Sequence, residues 1–185
     1  MLLFCCCALL SSCAALNKLD VFKQEALMPI VPPVGPSRRV IQQITVLWSD
    51  RKETLLCVLE LDKQRIAMAG LTNDGVSLFN LTYDGKAIVL DKSPLLPDSV
   101  APEFIITDLQ LVYWPVAVLQ KSLHGSSWRL EVDSSHRRLY YQGNKAVEVN
   151  YLLPDAIWAK SVELINYRHN YRLHIKTISY EALSE

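Results

Sequence analysis

Apolar residues recur at every second position through most of this chain. A period of two buries one face of a β-strand, whereas a helix needs apolar residues three and four positions apart. The sequence therefore predicts a mainly β protein. The alternating runs are residues 44–48, 55–61, 79–83, 88–90, 128–132, 139–141, 147–151, 159–166 and 171–175.

Turn-forming residues separate the predicted strands. Asn73-Asp74-Gly75 and Asp84-Gly85 lie between alternating runs. Asn, Asp and Gly tolerate the positive φ angles that tight hairpins require. Consecutive strands are therefore expected to be antiparallel neighbours.

One segment in the middle of the chain follows a different pattern. Residues 99–123 are apolar almost all round, which is typical of a helix buried on most faces. Asp98 or Ser99 is the expected cap, with Pro102 in the first turn. Pro115 should divide the segment into one helix ending near Trp114 and a second from Pro115 to about residue 123.

These elements together predict the fold class. A strongly curved antiparallel sheet, or half-open β-barrel, leaves a concave apolar face that must be covered. The apolar helical segment of about residues 99–123 is the part of the chain suited to cover that face. A single domain is expected, since 185 residues is an ordinary size for one domain.

The N-terminus has the layout of a bacterial lipoprotein signal. Residues 1–10 are an unbroken apolar run, too short to span a bilayer. Leu10-Ser11-Ser12-Cys13 then matches the lipobox, in which the cysteine is linked to diacylglycerol. Residues 1–12 are therefore predicted to be a signal peptide and Cys13 the lipidated mature N-terminus.

An alternative for this segment remains open. The n-region carries no Lys or Arg, although signal peptides usually begin with positive charge. A short buried helix would explain the same composition, with Cys5, Cys6 and Cys7 as small apolar residues or, less simply, a metal or redox cluster.

Residues 13–39 are predicted to be an extended tether and residues 40–185 the folded domain. Four prolines, at positions 29, 32, 33 and 36, preclude a helix in the second half of the tether. Ala14 after the cysteine resembles lipoproteins sorted to the outer membrane. The predicted location is therefore the periplasmic face of that membrane, through a lipid anchor.

Charge and cysteine content restrict the possible partners. Lys plus Arg and Asp plus Glu number 19 each, so no net charge favours nucleic acid or anionic lipid. After processing, Cys57 would be the one cysteine not lipidated, in an apolar run where a buried, inert thiol is expected.

The sequence contains no motif of a known catalytic or cofactor site. It has no Gly-x-Ser-x-Gly elbow, no phosphate-binding Gly-rich loop and no His-Glu-x-x-His. An enzyme, a metal and a cofactor are therefore not expected. Gly125-Ser126-Ser127 is predicted to be a turn.

Several polar residues have a structural interpretation. The four histidines at positions 124, 136, 169 and 174 are scattered and are expected to be solvated, as are the pairs Arg38-Arg39 and Arg137-Arg138. Asp108 interrupts an apolar helix, so it should face solvent or hydrogen-bond a neighbour, and a role in ligand recognition is the less favoured alternative.

Three segments resemble a known family. Residues 108–119 (DLQLVYWPVAVL) are the most specific, preceded by residues 78–84 (LFNLTYD) and followed by residues 138–141 (RLYY). The chain resembles an uncharacterised family of bacterial lipoproteins, often encoded beside aryl-polyene biosynthesis genes, over about residues 47–177. That family is similar to the carrier and receptor of the lipoprotein-localisation (Lol) pathway.

The resemblance implies a function in carriage. Lol proteins are incomplete barrels whose apolar interior, covered by helices, receives acyl chains. The implied partners here are a lipid, the acyl chains of a lipoprotein or an aryl-polyene lipid. The residues expected to contact such a ligand lie on the helical segment: Phe104, Ile105, Leu109, Val112, Trp114 and Leu119.

An alternative to carriage stays open at this point. The same side chains could fill a closed core, as in small barrels. The protein would then be a non-catalytic accessory or scaffold lipoprotein of an envelope or biosynthetic complex.

Overall fold

The computed structural model describes residues 27–49, 51–97, 100–155 and 158–184. The predicted signal peptide, Cys13 and the first half of the predicted tether lie outside the described residues. The strands and helices in chain order are β1 (Arg38–Trp48), β2 (Arg51–Leu61), β3 (Ile66–Leu71), β4 (Ser77–Tyr83), β5 (Ile88–Lys92), α1 (Pro102–Tyr113), α2 (Val116–Leu123), β6 (Trp128–Val132), β7 (His136–Tyr141), β8 (Asn144–Leu153), β9 (Ser161–Asn166) and β10 (Tyr171–Ala182).

The described strands form one antiparallel sheet in the order β5-β4-β3-β2-β1-β10-β9-β8-β7-β6. Its centre is the pairing of the first strand with the last, which runs from Arg38 opposite Ala182 to Trp48 opposite Tyr171. On either side of this pair, a hairpin connects each strand to the next one in the sheet. The sheet is open because β5 and β6 are its two edges and do not pair with each other.

Alternate residues line up in rows across the inward face of the sheet. One row joins Val40, Leu59, Met68, Leu81 and Leu90 from β1 to β5. The first four are buried, as the alternation in the sequence predicts. The core therefore lies on this single face of the sheet.

The two helices connect one edge of the sheet to the other, because α1 and α2 lie between β5 and β6 in the chain. They pack against the inward face, where Ile106, Trp114 and Leu119 are fully buried. Within the described residues, neither helix has the length or the apolar stretch needed to cross a bilayer.

The predicted fold class is confirmed: the described part of the chain is mainly β, with a curved open antiparallel sheet and two short helices. The break at Pro115 is also confirmed, since Trp114 is extended with ψ 150°. Strand β3 was not predicted from the sequence. Its residues are IAMAGL, in which alanines stand where an alternating pattern has polar residues and Gly70 stands at a buried position where it has a large apolar one.

The start of α1 differs from the expectation. The N-cap is Ala101, which is extended and makes no side-chain cap hydrogen bond. Residues 98 and 99, the expected caps, lie outside the described residues. Pro102 explains the boundary, because a proline disfavours helical backbone in the residue before it and is itself well suited to the first helical position.

Residues 27–37, which we call the N-terminal strap, pack against the domain instead of extending away from it as a tether. Met28 and Val31 belong to the hydrophobic core, and Pro33 is buried. The side chain of Arg38 donates hydrogen bonds to the carbonyls of Val34 and Pro36. The packed chain thus begins before residue 40.

A close approach between Gly70 and Phe79 gives the first prediction. These two residues are direct partners in β3 and β4, and a Cβ on Gly70 would lie 2.2 Å from the Phe79 ring. We expect Gly70→Ala to lower the free energy of unfolding by about 1–3 kcal/mol, the usual effect of overpacking. Denaturant unfolding measures the change.

The matched control is Gly70→Ala combined with Phe79→Leu. The smaller side chain should recover part of the loss caused by the alanine. The steric explanation would be contradicted if the double variant loses as much free energy of unfolding as Gly70→Ala, or more.

Candidate functional site

Five of the six residues predicted to contact a ligand lie on the two helices that cover the inward face, and the sixth, Trp114, is the C-cap of α1. Leu109, Val112, Trp114 and Leu119 are buried. Phe104 and Ile105, in the first turn of α1, are half-buried. The Phe104 ring packs on the ring of His169, with centroids 4.2 Å apart. The structure therefore places the six residues in or at the margin of one apolar interior.

This interior is filled in the structure. A cavity between α1, the strap and strands β6 to β9 has a volume of about 30 Å³ and is lined by Met28, Leu111 and Leu139 among others. That volume holds only a few water molecules, whereas pockets for small ligands measure ~300–1,000 Å³. A ligand can therefore enter only if part of the interior moves.

The half-buried Asp108 lies at one side of α1. Asp108 accepts a hydrogen bond of 2.5 Å from the hydroxyl of Tyr171, and that hydroxyl accepts one from the side-chain amide of Asn166. Burial raises the pKa of the Asp108 carboxyl to about 7, although the hydrogen bond from Tyr171 acts in the opposite direction. Asp108 therefore hydrogen-bonds a neighbour, one of the two alternatives that the sequence left open.

Two side chains of the sheet hold the carboxyl end of α1. The Arg137 guanidinium donates to the carbonyls of Leu111 and Trp114 at 2.9 and 2.8 Å. The Tyr151 hydroxyl donates to the carbonyl of Val112. The last carbonyls of a helix have no partner within the helix, so these bonds stabilise the point where Pro115 ends α1.

A further polar contact joins α1 to the centre of the sheet. The buried amide of Gln42 on β1 donates to the Tyr113 hydroxyl at 2.7 Å. The Tyr113 ring stacks on Trp158, with centroids 3.8 Å apart. Burial raises the pKa of Tyr113, so this hydroxyl is neutral at physiological pH.

The fully buried Gln110 connects α1 to the strap. Its side-chain oxygen accepts the Val31 N–H at 3.1 Å, and its amide donates to the Val31 carbonyl at 2.7 Å. The indole N–H groups of Trp114 and Trp128 donate to the carbonyls of Pro32 and Leu27. The strap is thus held by its main chain.

The structure corrects several expectations of solvated polar residues. Arg38 is buried and Arg137 half-buried, whereas Arg39 is more exposed and pairs with Glu60. His169 is half-buried against Phe104. His136 is also half-buried and bonds Asp133. The alternation itself could have identified the arginines, because one member of an adjacent pair on a strand must face inward.

Cys57 conforms to the expectation. It is fully buried, and burial raises the pKa of its thiol to about 12. A thiol that stays protonated is a poor nucleophile. The turn predicted at Gly125-Ser126-Ser127 is also present, between α2 and β6.

A second hollow lies away from the apolar interior. It has a volume of about 190 Å³ and is lined mostly by polar residues, including Glu60, Asp62 and Arg65. It lacks the apolar walls that a hydrophobic ligand needs. Across the described parts of the chain, no group of three or more His, Cys, Asp or Glu side chains could hold a metal ion.

These features define the class of protein: a curved, open antiparallel sheet that encloses an apolar helical connection between its edges. The chain belongs to the family described as "Protein of unknown function (DUF3261)", whose model matches residues 39–179. A comparison with curated proteins found no match.

One solved structure shares this fold at low sequence identity. The chain is similar to a LolA superfamily protein from Nitrosomonas europaea, with a TM-score of 0.50 and 9% identity over 84% of this chain and 90% of that chain. A domain from Vibrio parahaemolyticus assigned as an outer membrane lipoprotein-sorting protein has a TM-score of 0.47 and 10% identity over 81% and 88% of the two chains. The first likeness shows that the fold is shared.

The raised pKa of Asp108 predicts a dependence of stability on pH. Its pKa of about 7 in the folded protein exceeds the value of about 4 in an unfolded chain. The stabilisation is therefore complete below about pH 4 and is lost as the pH rises towards 7. We expect Asp108→Asn to remove this loss, so that its Tm exceeds that of the wild type at pH 8 by roughly 5 °C.

Thermal unfolding from about pH 5 to pH 8 measures this difference. Asp91→Asn is the control, because the Asp91 side chain on β5 is exposed. Parallel pH profiles for Asp108→Asn and the wild type would contradict a titrating buried carboxyl.

Proposed function

We propose that this protein binds a hydrophobic ligand between its sheet and its two helices, and carries or receives that ligand at the bacterial cell envelope. One observation carries the proposal. The inward face of the sheet is apolar and open between β5 and β6, and a helical connection covers it. If the helical connection moves away from this face, the sheet exposes a concave apolar surface. Apolar ligands bind to surfaces of that shape.

The ligand-contacting residues in this proposal are those predicted from the sequence. Leu109, Val112, Trp114 and Leu119 would exchange contacts with the sheet for contacts with the ligand. Phe104 and Ile105 would line the entrance, since they are half-buried at the start of α1. The ligand classes proposed are a lipid, the acyl chain of a lipoprotein or an aryl-polyene lipid.

Support comes from the shared fold of a LolA superfamily protein and from the resemblance in residues 108–119. A catalytic function has no comparable support. The inward-facing polar groups Asp108, Arg137 and Gln110 are each occupied by structural hydrogen bonds.

The filled interior supports a second candidate function. A protein whose core stays closed would act through its surface, as a non-catalytic accessory lipoprotein in an envelope complex. The small volume beneath α1 is the observation in its favour. Ligand binding by the folded protein distinguishes the two functions.

Binding of a fluorescent fatty-acid analogue tests the carrier proposal. We expect saturable binding near one probe per wild-type molecule. Leu109→Glu should weaken binding tenfold or more, because it places an unpaired charge against the apolar ligand. Ala117→Glu is the matched control, since Ala117 on α2 is exposed and its variant should bind as the wild type does.

Circular dichroism must show that each variant keeps its strand signal. Competition by phospholipid, by a triacylated peptide and by aryl-polyene lipid then ranks the ligand classes. A well-folded wild type without saturable binding would reject the carrier proposal in favour of the accessory one.

We further propose that Cys13 carries a lipid anchor at the periplasmic face of the outer membrane. Two or three acyl chains bind a membrane firmly, at ~0.8 kcal/mol for each buried methylene. Cys13→Ala should therefore release the protein from the membrane or leave its signal uncleaved. Membrane fractionation is the measurement, and a processed variant that stays in the outer-membrane fraction would contradict the anchor.

A further inference from the structure

Helix α1 is enclosed from two sides. Asp108 and Gln110 are two positions apart, which places their side chains about 200° apart around the helix axis. Asp108 bonds Tyr171 on the sheet, and Gln110 bonds Val31 of the strap. The helix therefore lies between the sheet and the strap.

The strap closes over the helix by its main chain. Gln110 is fully buried and satisfies both the N–H and the carbonyl of Val31. Trp114, at the end of α1, donates to the neighbouring carbonyl of Pro32 at 3.4 Å. Gln110 of α1 and its C-cap Trp114 thus bind two consecutive residues of the strap.

The composition of the strap makes it separable from the rest of the fold. Its prolines at positions 29, 32, 33 and 36 have no N–H, so the strap cannot extend the sheet by a regular ladder of hydrogen bonds. Proline also holds the strap extended, which reduces the entropy lost when it binds. Its attachment depends on Met28 and Val31, on buried Pro33 and on the bonds just described.

We propose that the strap is an intramolecular clasp whose release from Gln110 controls entry of ligand to the interior. The inference rests on the proposed ligand-binding function. In the closed state the cavity between the strap, α1 and the sheet measures only about 30 Å³. Release of Val31 removes the restraint on the strap side of α1, so that only its contacts with the sheet still hold α1 to the inward face. Ligand and strap therefore compete.

Apparent affinity should therefore rise when the strap is released. If the open state is a small fraction of the population, the apparent Kd exceeds the intrinsic Kd by the inverse of that fraction. Val31→Asp places a charge in the apolar contact of the strap and should tighten probe binding tenfold or more. Val89→Asp is the matched control, since Val89 on β5 is 62% exposed, and it should bind as the wild type does.

Gln110→Met tests the clasp without introducing a charge. Methionine is close to glutamine in size but cannot bond the Val31 main chain. This variant should also bind the probe tenfold or more tightly, and exchange of the Val31 amide hydrogen should become faster. It decides the test if Val31→Asp fails to fold.

The wild-type full-length chain gives a further measurement that needs no variant. Saturation with the fatty-acid probe should accelerate exchange of the Val31 amide, because ligand and strap cannot both occupy the interior. A protected Val31 amide in the probe-saturated protein would overturn the clasp and leave the carrier function standing.

Two other outcomes are equally decisive. Folded strap variants whose affinity is within twofold of the wild type, or weaker, would also overturn the clasp. Absence of saturable binding in the wild type and in every strap-released variant would reject the proposed function itself.

Discussion

The open edges of the sheet impose the condition on which the rest of the structure depends. The ten strands of the described residues place their apolar side chains on one face, and β5 and β6 do not close that face into a barrel. Uncovered, it would expose a large apolar surface to water, which is unfavourable at ~25 cal/mol per Å². The chain between the two edges supplies the cover. No residue of α1 is exposed, as expected of a helix that is apolar almost all round. Helix α2 differs from that expectation, because it buries Leu119 and Leu123 on one face and exposes its other face to solvent.

Burying a helix on nearly every side creates a second requirement, because its polar groups also leave water. The sheet meets it with inward-facing polar side chains. Arg137 and Tyr151 bind the terminal carbonyls of α1, Tyr171 binds Asp108, and Gln42 binds Tyr113. Each bond contributes modestly, at ~1 kcal/mol net, but an unpaired buried group would cost more. These bonds fix the position of α1 as much as its apolar contacts do.

Much of the fold follows from local signals in the sequence. Period-two alternation and Gly-containing hairpins predict nine of the ten strands, and Pro115 predicts the break between the helices. Strand β3 is not predicted because Ala67, Ala69 and Gly70 interrupt its alternation of apolar and polar residues. The burial of Leu109, Val112, Trp114 and Leu119 can also be predicted, since an all-round apolar segment has no other stable place than a core.

Local pattern by itself therefore determined every described strand but β3, the break between the helices and the apolar character of the interior, because backbone propensity and side-chain periodicity act over neighbouring residues. Only the tertiary structure decided which polar residues turn inward and what they bind. Gln110 meets Val31 across 79 residues, and Arg137 reaches the end of α1 across 23 and 26 residues. Such partners are set by the register of the sheet and by the packing of the strap over α1, which no local pattern records.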